Sequence, residues 1–145
     1  MSSKILIVIA NYYQQIANDL TKAAETTLDS QSKTKVEYKT VLVPGIFEIP
    51  VLISRNLKKY DGFVALGCVI KGETPHFDYI SKSTFNALMK LSVENKKPIG
   101  NGIITSLNVS QALARSSSGG KKKNKGIEAS RAVLSVLGIL KHDSK

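Results

Sequence analysis

The chain has 145 residues and a mass of 15.7 kDa, which suits one domain with its own hydrophobic core. Its hydrophobic fraction of 42% excludes a disordered chain, and its single cysteine excludes a disulfide framework or a cysteine-based metal site. The net charge of +10 leaves nucleic acid, an anionic membrane surface or a phosphorylated substrate open as partners. We therefore expect one globular domain over residues 1–145.

The first apolar segment, residues 4–10, is too short to cross a bilayer, and no signal-peptide pattern precedes it. Cys68, the lone cysteine, lies within another apolar segment, as expected for a reduced thiol in a core. These features predict a cytoplasmic protein with no membrane partner.

Four short apolar runs rich in β-branched residues alternate with helical patterns along the chain. They are residues 4–10, 35–43, 62–70 and 98–105. Strand–helix alternation with right-handed crossovers gives a parallel sheet with helices on both faces. The predicted fold class is a three-layer α/β sandwich of the flavodoxin-like type, with a four-stranded parallel sheet in the order 2-1-3-4.

The helices have recognisable starts and apolar faces. Between the first two runs, apolar residues from Ile16 to Leu28 recur at spacings of three and four, which predicts a helix. A shorter helix is predicted over residues 48–58. A third follows the next run, with Thr74 as its N-cap and Pro75 at its first position.

Two further helices are predicted near the C-terminus. Asn108 can cap a short helix that runs to about Arg115, with Gln111 reaching back to the cap. The last helix, over residues 125–141, carries more apolar surface than one sheet face would cover. A subunit interface would explain that excess.

Ligands of open α/β sheets bind beyond the carboxyl ends of the strands, so the loops after the runs are where a site is expected. Those loops carry aromatic, acidic and histidine side chains, namely Tyr12, Tyr13, Phe47, Glu48, Glu73 and His76, together with Ile46 and Thr74. We expect them to converge on one crevice.

Each of these residues has a functional and an ordinary interpretation. The turn before the third helix could bind an anion at the helix N-terminus or be a routine strand–helix turn, and it lacks the P-loop pattern of an NTPase. His76 could exchange protons with a substrate or be a surface residue. Tyr12 and Tyr13 could stack on a flat substrate or cover the end of the sheet. Glu48 could bind a polyol or serve its own helix.

Three segments together resemble a known family. Residues 43–50 read VPGIFEIP, residues 66–79 read LGCVIKGETPHFDY, and residues 124–126 read NKG. Their sequence, order and spacing resemble those of the 6,7-dimethyl-8-ribityllumazine synthases, and the similarity extends over nearly the whole chain. It is far more specific than any single motif.

The resemblance implies a transferase of riboflavin biosynthesis that needs no cofactor and no metal. It condenses 5-amino-6-(D-ribitylamino)uracil with 3,4-dihydroxy-2-butanone 4-phosphate, and the substrate's own amine is the nucleophile. It implies that His76 is the acid/base and that Arg115, with Glu73 and Thr74, holds the phosphate. The remaining substrate-binding residues that it implies are Tyr12, Tyr13, Ile46, Phe47, Glu48, Cys68, Val69, Ile70, Asn101 and Lys125.

The resemblance also implies homo-oligomers with active sites between subunits, and we expect a homopentamer or a decamer rather than a sixty-subunit shell. Arg115, His76 and the loop before His76 are expected to face the first-strand loop of a neighbour. The segment 116–124 is longer than in shell-forming members, and Asn101 replaces a residue that is often hydrophobic or aromatic.

Two other functions remain open at this stage. A basic nucleic-acid-binding module would need stacking aromatics near its lysines, and the lysine run at residues 121–123 has none nearby. A flavin- or lumazine-binding paralogue, or a riboflavin synthase of related type, would keep the fold and change the chemistry. His76 and Arg115 favour the condensing enzyme.

Overall fold

A computed structural model of the chain describes residues 2–72, 76–117 and 124–142. The four predicted strands are confirmed to within one residue at each end. In chain order the elements are β1 Ser3–Ala10, α1 Gln14–Ser30, β2 Val36–Val43, a 3-10 turn Ile46–Glu48, α2 Ile49–Ser54, β3 Gly62–Ile70, α3 His76–Asn95, β4 Ile99–Ser106, α4 Val109–Ser116 and α5 Lys125–Val136.

The four strands form one parallel sheet in the order β2-β1-β3-β4, as predicted. Ile7 of β1 pairs with Thr40 of β2 on one side and with Val64 of β3 on the other. Cys68 of β3 pairs with Ile104 of β4. The carboxyl ends of β1, β2 and β3 therefore lie side by side at one edge of the sheet.

Successive residues of β1 belong to two different cores, because side chains alternate between the faces of a strand. Ile5, Ile7 and Ile9 pack with buried residues of α1 and α5, whereas Leu6 and Val8 pack with buried residues of α2 and α3. Helices cover both faces of the sheet, and the predicted three-layer α/β sandwich is confirmed.

Two glycines in β4 let α5 pack directly against the sheet. A Cβ on Gly100 would lie 2.2 Å from the carbonyl oxygen of Ala129, and a Cβ on Gly102 would lie 3.1 Å from that of Lys125. At Gly100 only hydrogen atoms fit between the two backbones, and at Gly102 the space is tight. The start of α5 is therefore held close to β4, which fixes where Lys125 lies.

The helix predicted over residues 48–58 is wrong at its end, because α2 ends at Ser54. The backbone amide of Asn56 bonds to the carbonyl of Ile53, three residues back, and its side chain donates to the carbonyl of Leu52 at 2.8 Å. The Asn56 amide therefore does not make the bond to the fourth residue back that would continue an α-helix, and the chain goes on as turns.

The last helix was also predicted too long, since α5 ends at Val136 rather than at residue 141. Gly138 has a φ of 78°, in the left-handed region where a helix commonly stops. Beyond it, Leu140 forms an antiparallel bridge with Ser32 and packs, with Ile139, against the core on the α1 side. Part of the excess apolar surface is therefore covered by the chain itself.

The predicted start of α4 at Asn108 is confirmed, but one of its hydrogen bonds has a different partner. Asn108 caps α4, and its Oδ1 accepts the amide of Gln111 at 2.9 Å. The Gln111 side chain reaches back as predicted, but it accepts from the amide of Leu107, one residue before the cap. The predicted cap Thr74 and the residue Pro75 lie outside the described residues.

Within the described part of the chain, none of the helices is both long enough and apolar enough to cross a membrane.

Candidate active site

A pocket of about 570 Å³ lies beyond the carboxyl ends of β1, β2 and β3, against the start of α3. Most of the residues predicted for the site are on its wall. The wall consists of Ala10, Tyr12, Tyr13, Gly45, Ile46, Phe47, Glu48, Cys68, Val69, Ile70, His76 and Ile80.

Close packing behind the wall holds the 3-10 turn against the strand ends. A Cβ on Gly67 of β3 would lie 2.8 Å from Cγ2 of Ile46 and 3.1 Å from Cβ of Ala10. Ile46 is buried, while the next residue, Phe47, is 62% exposed. The buried isoleucine therefore anchors the turn and leaves Phe47 and Glu48 free to contact a ligand.

Aromatic rings stand at the mouth of the pocket. Tyr12 is 72% exposed, whereas Tyr13 is half-buried and packs against the core; their ring centroids are 5.0 Å apart and their planes 56° apart. Burial, followed by the nearby Cys68 and Tyr12, raises the pKa of the Tyr13 phenol. Tyr13 therefore keeps its proton at neutral pH and can donate a hydrogen bond, while Tyr12 and Phe47 offer faces to a flat ring.

His76 shares this pocket with Tyr12 and Tyr13 of its own chain. β1 and β3 are adjacent in the sheet, so the first-strand loop of the same chain forms part of this pocket. That His76 faces the first-strand loop of a neighbouring subunit stays a prediction. His76 is the first residue of α3 and is exposed, so its imidazole can reach a bound ligand. Glu48, on the same wall, adds a partly exposed carboxylate.

Cys68 contributes an uncharged, protonated thiol to the pocket wall. Cys68 is 7% exposed, and burial raises the pKa of its thiol to about 11. A thiol with that pKa is almost entirely protonated at neutral pH and is a poor nucleophile.

We expect native Cys68 to react with a soluble disulfide reagent at pH 8 at least about tenfold more slowly than the same thiol in denaturant, because thiolate is the reactive form. Colorimetric titration of the protein with and without guanidinium measures both rates. Equal rates would show that the thiol is neither buried nor raised in pKa.

Three of the predicted site residues lie outside the pocket wall. Asn101 is exposed in the middle of β4, and its Oδ1 accepts the amide of Ile103 at 3.0 Å. Arg115 lies in the last turn of α4. Lys125 begins α5 and forms a 3.4 Å ion pair with Glu128. Two more predicted residues, Glu73 and Thr74, lie outside the described residues.

Sequence reasoning missed three residues of the wall, Ala10, Gly45 and Ile80. Ala10 and Gly45 were detectable as small residues at or just after strand ends, where a ligand needs room. Ile80 lies four residues after His76, which places both on one face of α3. That spacing would have identified it.

Residues 2–72, 76–117 and 124–142 contain no group of three or more His, Cys, Asp or Glu side chains that could hold a metal ion. The lysine run at residues 121–123 lies outside them.

Comparison with known proteins identifies the family. The family model of 6,7-dimethyl-8-ribityllumazine synthase matches residues 2–141. The chain is 43% identical over 141 residues to the synthase of Bartonella bacilliformis, covering 94% of this chain and 90% of that protein. It is 41% identical over 150 residues to the synthase of Nitrobacter hamburgensis, covering 99% of this chain and 89% of that protein. The chain therefore belongs to the 6,7-dimethyl-8-ribityllumazine synthase family, whose members are enzymes of riboflavin biosynthesis.

Proposed function

We propose that this chain condenses 5-amino-6-(D-ribitylamino)uracil with 3,4-dihydroxy-2-butanone 4-phosphate in the pocket beside His76. The products are 6,7-dimethyl-8-ribityllumazine, phosphate and water. The observation that carries the proposal is that flat rings, a carboxylate and an imidazole share one pocket at the carboxyl edge of the sheet.

The wall suits the pyrimidine. Tyr12 and Phe47 can contact the faces of its ring, and the backbones of Val69 and Ile70, at the end of β3, can hydrogen-bond to its edge. Glu48 can accept hydrogen bonds from the ribityl hydroxyls.

The reaction needs orientation and proton transfer rather than a protein nucleophile. The 5-amino group of the pyrimidine attacks the carbonyl carbon of the butanone phosphate, and loss of water gives an imine. Phosphate is then eliminated, and the ribityl-bearing nitrogen closes the ring with loss of a second water. His76 lies on the wall, and we assign it the role of general acid and base, which histidine most often fills. The buried, protonated Cys68 is not required.

The second substrate carries a phosphate, and we assign its binding to Arg115 with Glu73 and Thr74, while Lys125 is assigned a place near the pyrimidine ring. Arg115 and Lys125 lie off the wall of their own protomer's pocket, so we propose that a neighbouring subunit supplies them in a homopentamer or a decamer. Asn101, exposed on the edge strand β4, would enter the site in the same way. Native mass spectrometry tests the assembly: multiples of five 15.7 kDa chains support it, and a monomer contradicts it.

The direct test is to mix the two substrates with purified protein and follow lumazine fluorescence against the spontaneous reaction. A rate proportional to protein concentration is the expected result. Binding of lumazine without turnover would instead indicate a binding paralogue, and release of riboflavin from lumazine alone would indicate a riboflavin synthase.

Replacement of Arg115 by alanine is expected to raise the KM for the butanone phosphate about tenfold or more, because a charge-assisted hydrogen bond to phosphate is lost. The KM for the pyrimidine should change little. Steady-state kinetics with each substrate varied in turn measures both constants. A rise in the KM for the pyrimidine alone would show that Arg115 does not bind the phosphate.

A further inference from the structure

The side chain of Asn124 links the end of α4 to the start of α5. Its Nδ2 donates to the carbonyl oxygen of Ser116 at 2.6 Å. Its Oδ1 accepts the backbone amides of Gly126 at 2.8 Å and Ile127 at 3.1 Å, and so caps α5. Asn124 is only 6% exposed. The amide nitrogen of this buried side chain therefore bonds to α4, and its amide oxygen bonds to α5.

The two helix ends that Asn124 joins carry two cations of the proposed site, Arg115 for the phosphate and Lys125. Arg115 immediately precedes Ser116, and Lys125 immediately follows Asn124. Each cation is thus one residue, or about 3.8 Å of backbone, from the hydrogen bond between the helices. In sequence the two cations are separated by the whole of residues 116–124. The Asn124–Ser116 hydrogen bond therefore joins their backbones by a path much shorter than the chain between them.

The start of α5 has a fixed position on the core. A Cβ on Gly126 would lie 2.6 Å from the carbonyl oxygen of Leu20 in α1, and the carbonyl of Lys125 lies against Gly102 of β4. These close contacts leave α5 no room to shift toward α1 or β4. The hydrogen bond from Asn124 to the Ser116 carbonyl ties the end of α4, which carries Arg115, to this start of α5.

We infer that Asn124 is a positioning residue for the sugar-phosphate site, holding the Arg115 end of α4 in place relative to Lys125. The inference rests on the proposed function, in which Arg115 binds the phosphate. Asparagine suits the role because it accepts and donates at once. Aspartate can cap α5 but cannot donate to Ser116, and serine is too short to make both contacts.

The test is the Asn124→Asp variant of the assembled protein. It keeps the cap oxygen and the shape of the side chain but places an oxygen opposite the Ser116 carbonyl. We expect the KM for the butanone phosphate to rise about tenfold, as for the loss of one buried hydrogen bond. The inhibition constant of inorganic phosphate should rise by the same factor, while kcat and the KM for the pyrimidine stay within about twofold.

Asn108→Asp is the matched control. Asn108 also caps a helix, through its bond to Gln111, but the change leaves the link between α4 and α5 intact. Its kinetic constants should equal those of the wild type. An equal rise in the KM for the butanone phosphate in both variants would overturn the inference, because any weakened cap would then suffice.

The double variant Arg115→Ala with Asn124→Asp separates positioning from general destabilisation. With Arg115 absent, the Asn124 change should add less than about twofold to the KM for the butanone phosphate, and a further tenfold rise would overturn the inference.

If Arg115→Ala alone has no effect on that KM, the phosphate assignment fails. If it has the effect and Asn124→Asp does not, the positioning role fails. Asn124→Ser replaces Asn124→Asp if the latter does not assemble, and failure of both to assemble would show a purely structural role.

Discussion

Replacement of His76 by alanine is expected to lower kcat about a hundredfold or more, because removal of a general acid/base commonly has an effect of that size. The imidazole lies on the pocket wall. In the proposed reaction, imine formation, phosphate elimination and ring closure all need protons to move there. His76 is exposed at the start of α3, so its loss should leave the core and the assembly unchanged. Lumazine formation at saturating concentrations of both substrates measures the effect.

The chain offers its own control in its second histidine. His142 is exposed near the C-terminus, 3.5 Å from Nζ of Lys33, and it is not part of the pocket wall. His142→Ala should keep the wild-type kcat, and size-exclusion chromatography should give the same elution volume for both variants. Unchanged kcat in His76→Ala would reject its role as the proton carrier.

The substitution Gly100→Ala, which adds one methyl group, is expected to lower the free energy of unfolding by about 3 kcal/mol. This is near the upper end of the effects of overpacking a core. The added Cβ would lie 2.2 Å from the carbonyl oxygen of Ala129 and 2.8 Å from its carbonyl carbon. These atoms are backbone, so α5 as a whole would have to move off β4. Urea denaturation at one fixed protein concentration measures the change, since the stability of the proposed oligomer would depend on concentration.

Gly72→Ala is the matched control for the added methyl group. Among the described residues, no heavy atom other than those of its chain neighbours lies within 4 Å of the position its Cβ would take. We expect its unfolding midpoint to lie close to that of the wild type. Equal midpoints for Gly100→Ala and the wild type would show that α5 does not contact β4 as described.

The fold was predictable from the sequence because its strands are short, continuous and rich in β-branched residues. Such runs, separated by helical patterns, allow few arrangements other than a parallel sheet between two helical layers. The end of α5 was not predictable in this way. Ile139 and Leu140 continue the apolar pattern of the helix, yet Gly138 ends it and they pack as an extended segment. An apolar pattern shows that a residue is buried and leaves the backbone conformation undetermined.

The pocket was largely predictable because parallel strands bring their carboxyl ends to one edge of the sheet. Tyr12, Phe47 and His76 follow three different strands and still share one wall. The relation of Arg115 to this wall was not predictable from pattern alone. It depends on the length of α4, on the link through Asn124 and, in the proposed assembly, on the surface of a neighbouring subunit.

The most direct test is a structure of the assembled protein with an unreactive analogue of the ribitylamino-pyrimidine. We predict that the ring lies against Tyr12 and Phe47 with His76 beside it, and that a neighbouring subunit's Arg115 opens onto the same cleft. An analogue bound away from this wall, or His76 and Arg115 facing unrelated surfaces throughout the assembly, would contradict the account.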